Sequence, residues 1–168
     1  MRYLVLAAAA LQLCGSLPAC AEQAVQGKGL GLETASHLVS AAAQFAGQKK
    51  TPVSIVVVDA AGHFVTGVRM DGAPFATFDV ARGKALATAA TGGASGAELA
   101  QRYRANPIVF GQMSSLVYGG PLLPSQGSLG IYIGGQLAGA VGVSGGASDM
   151  DEEAGRRGIA AIGATETP

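Results

Sequence analysis

The chain has 168 residues, with 11 Lys and Arg against 11 Asp and Glu, so its formal net charge is zero. That is one ordinary domain, long enough to bury a core without staples. A hydrophobic fraction of 49% against 13% charged residues excludes a disordered tail protein. Scattered, balanced charge excludes a nucleic-acid module with one basic face. Aromatics at 5% with no Trp argue against a stacking platform for single strands.

The first segment reads as an address. Arg2 precedes an apolar run from Tyr3 to Leu13, the length of a signal-peptide core and too short to span a bilayer. Gly15 and Pro18 then break any helix, and Ala19-Cys20-Ala21 supplies the small residues of a cleavage site. The expectation is a signal peptide over 1–21 and a mature domain over 22–168, delivered to the periplasm or secreted. The rival reading takes Leu17-Pro18-Ala19-Cys20 as a lipidation site, which would tie the protein to a membrane through Cys20; Pro before the small residue counts against it. Cys14 and Cys20 are the only cysteines. Cleavage after Ala21 therefore leaves no disulfide, thiolate nucleophile or cysteine metal site.

Ala24 to Gly31 is a polar, Gly-rich lead-in. From Leu32 to Gly47, apolar residues recur at three and four, which predicts a helix. Val53 to Asp59 is a nearly continuous β-branched run, which predicts a strand buried on both faces. The tight Ala60-Ala61-Gly62 turn makes His63 to Met70 its antiparallel partner. An Ala-rich helix over Ala76 to Thr91 closes at Gly92-Gly93. Ser95-Gly96-Ala97-Glu98 is a capping box opening a helix that Pro107 ends. Ile108 to Val117 predicts a further short helix, and Gly119-Gly120-Pro121 opens a loop to Gly130. Ile131 to Ile133 and Leu137 to Val143 predict a hairpin, followed by a last helix from Asp149 to Gly163. Hairpins in place of crossovers predict an α/β chain of the α+β kind with an antiparallel sheet.

Four features carry candidate chemistry. Gly142-Val143-Ser144-Gly145-Gly146 matches the nucleophile elbow of serine hydrolases, but that arrangement needs Asp and then His after the Ser, and His37 and His63 both lie upstream. The competing explanation is close packing at small residues. Asp149, Asp151, Glu152 and Glu153 offer hard oxygens for a metal, although acids in a first helical turn also complement the macrodipole. Arg69 and Asp71, followed by Asp79, Arg82 and Lys84, can hold a carboxylate-bearing ligand through guanidinium forks and an ammonium, or form structural pairs. His37 lies off the apolar stripe of its helix, as a surface residue or an iron ligand.

The run Pro52 to Gly62, then Arg69-Met70-Asp71-Gly72-Ala73, resembles the opening of the GlcG/HbpS family, the haem-degrading domain also related to the C-terminal domain of PduO. Lys84-Ala85 with Thr88-Ala89, Gly119-Gly120-Pro121, and Gly139 to Gly146 with Asp151-Glu152 resemble its later motifs in the same order. The resemblance spans Leu32 to Ile162. It implies a profilin-like domain with a central antiparallel sheet of five strands, the extra one from Leu122-Leu123 or the long loop, flanked by helices. It also implies haem as cofactor, a homo-oligomer such as an octamer, and in some members a sensor protein as partner.

Three functions follow as expectations. The first is an exported haem-binding accessory protein, haem-degrading or redox-sensing in some relatives. Arg69, Arg82 and Lys84, with Asp71, would serve the propionate side. The iron ligand would come from His37, His63, Tyr103, Tyr118, Tyr132 or a Met, with Thr88 or Thr91 near the iron if that ligand is weak. No flavin or nicotinamide fingerprint supplies electrons, so haem turnover would need an added reductant or peroxide. The second is a binder or enzyme for hydroxy acids or carbonyl compounds, using the same cations with Asp71 or Asp79 as acid or base. The third is an oligomeric partner of a sensor protein without bound ligand.

Overall fold

The computed structural model describes residues 30–115 and 120–168. The signal segment, Cys20 and Tyr118 therefore lie outside the described residues. In chain order the elements are helix α1 (Leu32–Gln48), strands β1 (Ser54–Asp59) and β2 (Phe64–Arg69), helices α2 (Thr77–Ala90), α3 (Gly96–Ala105) and α4 (Pro107–Ser115), strands β3 (Ser128–Ile133) and β4 (Gln136–Ser144), and helix α5 (Ser148–Ala161). The α+β reading holds, and each predicted helix and hairpin is present with its ends shifted by a few residues.

The sheet is antiparallel with the order β2-β1-β4-β3. It has four strands, not the five expected. Leu122 and Leu123 run as irregular chain because Pro121 and Pro124 flank them and lack the N–H a ladder needs. Their backbone is satisfied by α2 instead, with the Leu123 amide donating to the Gly83 carbonyl at 2.9 Å. Strand β1 is central, and Ile55, Val56, Val57 and Val58 are all fully buried, as a continuous apolar run requires when both faces are covered.

The two faces carry different layers. On one, α1 and α5 close over Ile55, Val57, Val141 and Val143. These helices approach so closely at Gly158 that a Cβ there would sit 2.7 Å from the Leu38 carbonyl oxygen. On the other, α2 lies over Val56, Val58 and Ala140. A Cβ at Gly142 would sit 2.8 Å from the Ala85 amide nitrogen, so the small residues of the elbow-like sequence serve this contact. Ser144 is the buried last residue of β4, registered against Ser54, and no histidine follows it. The hydrolase reading is thereby set aside.

Helix α3 begins as its capping box predicts, with Ser95 Oγ accepting from the Glu98 amide at 3.2 Å. The Glu98 carboxylate turns to Arg102, one turn along. Helix α4 is the most weakly seated element. None of its nine residues is buried, and it packs mainly against α3.

A candidate ligand site beneath helix α4

Helix α2 sorts the candidate cations. Residues two apart on an α-helix point about 200° apart, so Arg82 and Lys84 leave α2 on opposite sides. Lys84 turns inward. Its side chain is 5% exposed, and Nζ donates to the Val143 carbonyl at 2.8 Å and lies 3.3 Å from Asp151 Oδ2. Burial pushes the ammonium below its ordinary 10.5, and the facing Asp151 charge opposes that shift. Asp151 Oδ1 also accepts the Gly146 amide at 2.9 Å. The pair ties α2 to α5 past the end of the sheet. This corrects the expectation that Lys84 offers its charge to a ligand.

Thr88, one turn on, faces the same way. It is fully buried, with its Oγ1 2.9 Å from Ser128 Oγ on β3, so it packs into the protein and not toward a ligand. Arg69 closes the turn after β2, donating from Nη1 to the Ala73 carbonyl at 2.6 Å. Asp71 is exposed on that turn, beside Gly72 at φ 87°. His37 is exposed on α1, in a shallow groove with Glu33, Thr34, Ala161 and Ile162.

His63 is held by Asp59. Its Nδ1 lies 3.1 Å from Asp59 Oδ2, and Asp59 Oδ1 accepts the His63 and Ala61 amides at 2.8 and 2.9 Å. Burial pushes the Asp59 carboxyl up, but the hydrogen bonds from His63 and Ala61 outweigh it and hold the group below 3.8. The carboxylate cluster of the last helix disperses likewise. Glu152 and Glu153 pair with Arg156 and Arg157, and Asp151 pairs with Lys84. Among the described residues no group of three His, Cys, Asp or Glu is placed to hold a metal ion.

Arg82 lies beside an apolar hollow. Leu86, one turn after Arg82, lines a cavity of about 240 Å³ with Ala90, Met113, Leu122 and the β1–β2 turn at Ala60 to Gly62. A groove of about 380 Å³, walled by Tyr103, Gly111, Ser114 and Leu122 to Pro124, adjoins it through Leu122. A narrow crevice between them is lined by Phe110, Met113 and Ser114. The seam thus runs beneath α4. The Arg82 guanidinium stands at its edge: a Cβ on Gly120 would meet both Leu86 Cδ1, at 3.1 Å, and Arg82 Cζ, at 3.4 Å. Sequence analysis named Arg82, Thr91, Tyr103, a Met and Leu122 separately but not the hollow they adjoin, because Leu86, Ala90, Met113 and Leu122 come from three separate segments.

A four-stranded antiparallel sheet between two helical layers, with an apolar seam on one side and a cation at its edge, defines a small α+β domain with one candidate ligand site. The chain belongs to the HbpS-like family of haem-degrading proteins, whose model matches residues 30–160. Among solved structures it is similar to PduOC in complex with haem, at 26% identity and a TM-score of 0.74 over 83% of this chain and 99% of that one. It is also similar to a double mutant of HbpS from Streptomyces reticuli, at 29% identity and a TM-score of 0.71 over 93% and 97% of the two chains. A further HbpS structure gives 28% identity and a TM-score of 0.71 over 86% and 97%. A comparison with curated protein sequences finds no match.

Proposed function

We propose that this protein is an exported haem-binding accessory protein whose ligand occupies the seam between α2 and α4. The observation that carries the reading is the apolar hollow of Leu86, Ala90, Met113 and Leu122 with the Arg82 guanidinium at its edge. Family membership and the likeness to a haem complex support haem over other apolar ligands.

The residues present fit such a group. Hollow and groove together fall in the range of about 300–1,000 Å³ usual for small-molecule sites. Their walls are mostly apolar, and a guanidinium suits a carboxylate through two parallel N–H donors. Haem, when bound, would supply a redox-active iron. Leu86, Ala90 and Leu122 would shield it from water, and Arg82 would hold a propionate. Export rests on the signal sequence over 1–21. Self-association is supported by apolar side chains left in solvent, with Phe75 at 85%, Ile108 at 74% and Leu32 at 63% exposure. A sensor protein as partner remains part of this proposal, resting on the family resemblance.

The test is haemin titration of the mature protein, followed by the Soret band. The reading expects a saturable shift, weakened by about 1–3 kcal/mol in Arg82→Ala through loss of a charge-assisted bond. Wild-type protein that gives no saturable shift at micromolar haemin overturns it. The hydroxy-acid alternative required Arg69, Arg82 and Lys84 to act together, and the burial of Lys84 weakens it.

A further inference from the structure

We infer that the Met113 thioether is the protein's ligand to the haem iron, an inference that rests on the haem reading above. The argument is one of placement. Helix α4 turns Phe110, Met113 and Ser114 inward, at the three- and four-residue spacing of one helical face, and all three line the crevice. Phe110 has no donor atom. The Ser114 hydroxyl is donated to the Phe110 carbonyl at 2.8 Å. Met113 alone carries a soft donor, and it lines both the crevice and the main hollow. A thioether is an established ligand for haem iron.

Thr91 also lines the crevice, but its hydroxyl donates to the Ala87 carbonyl at 2.7 Å; the other described donors line neither the crevice nor the hollow. His37 stands in the α1–α5 groove, across the sheet from α2. The His63 ring, tied to Asp59 beside the turn that edges the hollow, is 80% exposed and is not among the residues that line it. Met70 and Met150 pack against the α1–α5 core. The Tyr132 hydroxyl donates to the Gly92 carbonyl at 3.1 Å, in a separate groove with Arg102 and Glu166. Tyr103 lines the outer groove but not the hollow.

Position 113 also suits a ligand that engages without disturbing the fold. Helix α4 has no buried residue, so its side chains adjust at little cost to the core. A thioether ligand raises the reduction potential of the iron relative to harder donors. This site would therefore favour the ferrous state more than one built on tyrosine.

The experiment compares the wild-type protein with Met113→Leu and Met113→His, all loaded with haemin. Three readouts are taken: affinity, the thioether-to-iron charge-transfer band of the ferric form, and the reduction potential. Leucine conserves volume, so Met113→Leu should keep haemin affinity within about tenfold. It should lose the thioether band and show a lower potential. Met113→His should replace the thioether with an imidazole and give an imidazole-ligated spectrum. A wild-type complex that lacks the thioether band, or a Met113→Leu complex with an unchanged spectrum and potential, overturns the assignment while leaving haem binding standing. Wild-type protein that binds no haemin overturns both.

Discussion

The two faces of the sheet are built from similar residues to different ends. The α1–α5 face is closed. Leu38, Ile55, Val57, Val141 and Val143 are fully buried, and Gly158 lets two helices meet backbone to side chain. The α2 face is closed only where α2 lies on β1 and β4; beyond it, α3 and α4 leave an apolar seam and Ile108 and Val109 in solvent. A helix held by few buried side chains opens at low free energy. The contrast separates a half that holds the fold from a half with room for a ligand, and the Lys84–Asp151 pair ties α2 to the first half.

The largest effect should come from that tie. Lys84→Met leaves Asp151 charged and buried with only the Gly146 amide and no opposite charge, which costs about 3–5 kcal/mol. Adding Asp151→Leu removes the stranded charge and should recover much of the loss. Chemical denaturation measures both. If Lys84→Met costs no more than a surface substitution, the pair is not what joins the layers.

Next comes truncation on either face. Leu38→Ala empties a fully buried position and should cost about 2–5 kcal/mol. Ile108→Ala, at 74% exposure, should stay within about 0.5 kcal/mol. Equal costs at the two positions would erase the distinction between closed and open faces.

The sequence made the closed half legible and the open half much less so. The VSIVVVD run announced a doubly covered strand; in the open half the Ser95 capping box marked only the start of α3. Lys84 read as a cation offered to a ligand because its partner lies 67 residues away and leaves no local signal. Its place among Ala81, Ala85 and Thr88 on one face of an Ala-rich helix was the available clue. The fifth strand failed because two apolar leucines between prolines look like a strand until the Leu123 amide is followed to Gly83 of α2. The seam was invisible because a cavity is a property of how segments meet, not of any one of them.

The smallest effect concerns acid. Arg156 donates to Glu153 at 2.8 Å and holds its carboxyl below the ordinary 4.5, with Arg157 assisting. A depressed carboxylate contributes stability that is present above 4.5 and lost as pH falls through the lower folded value. Both side chains are partly exposed, so Arg156→Ala should cost about 0.5 kcal/mol or less near neutrality. That difference should vanish at a pH below the folded value. A gap between variant and wild type that widens on acidification would contradict the assignment.

The central claim is that the seam beneath α4 is where haem binds. Ala90 is exposed on α2 and lines the hollow, so Ala90→Phe fills the space without entering the core. Haemin titration of this variant beside the wild type tests the claim most directly. The account predicts a saturable Soret shift for the wild type and affinity at least about tenfold weaker for Ala90→Phe, a change of about 1.4 kcal/mol, with the thermal midpoint little changed. A folded Ala90→Phe protein that binds haemin as tightly as the wild type would contradict it.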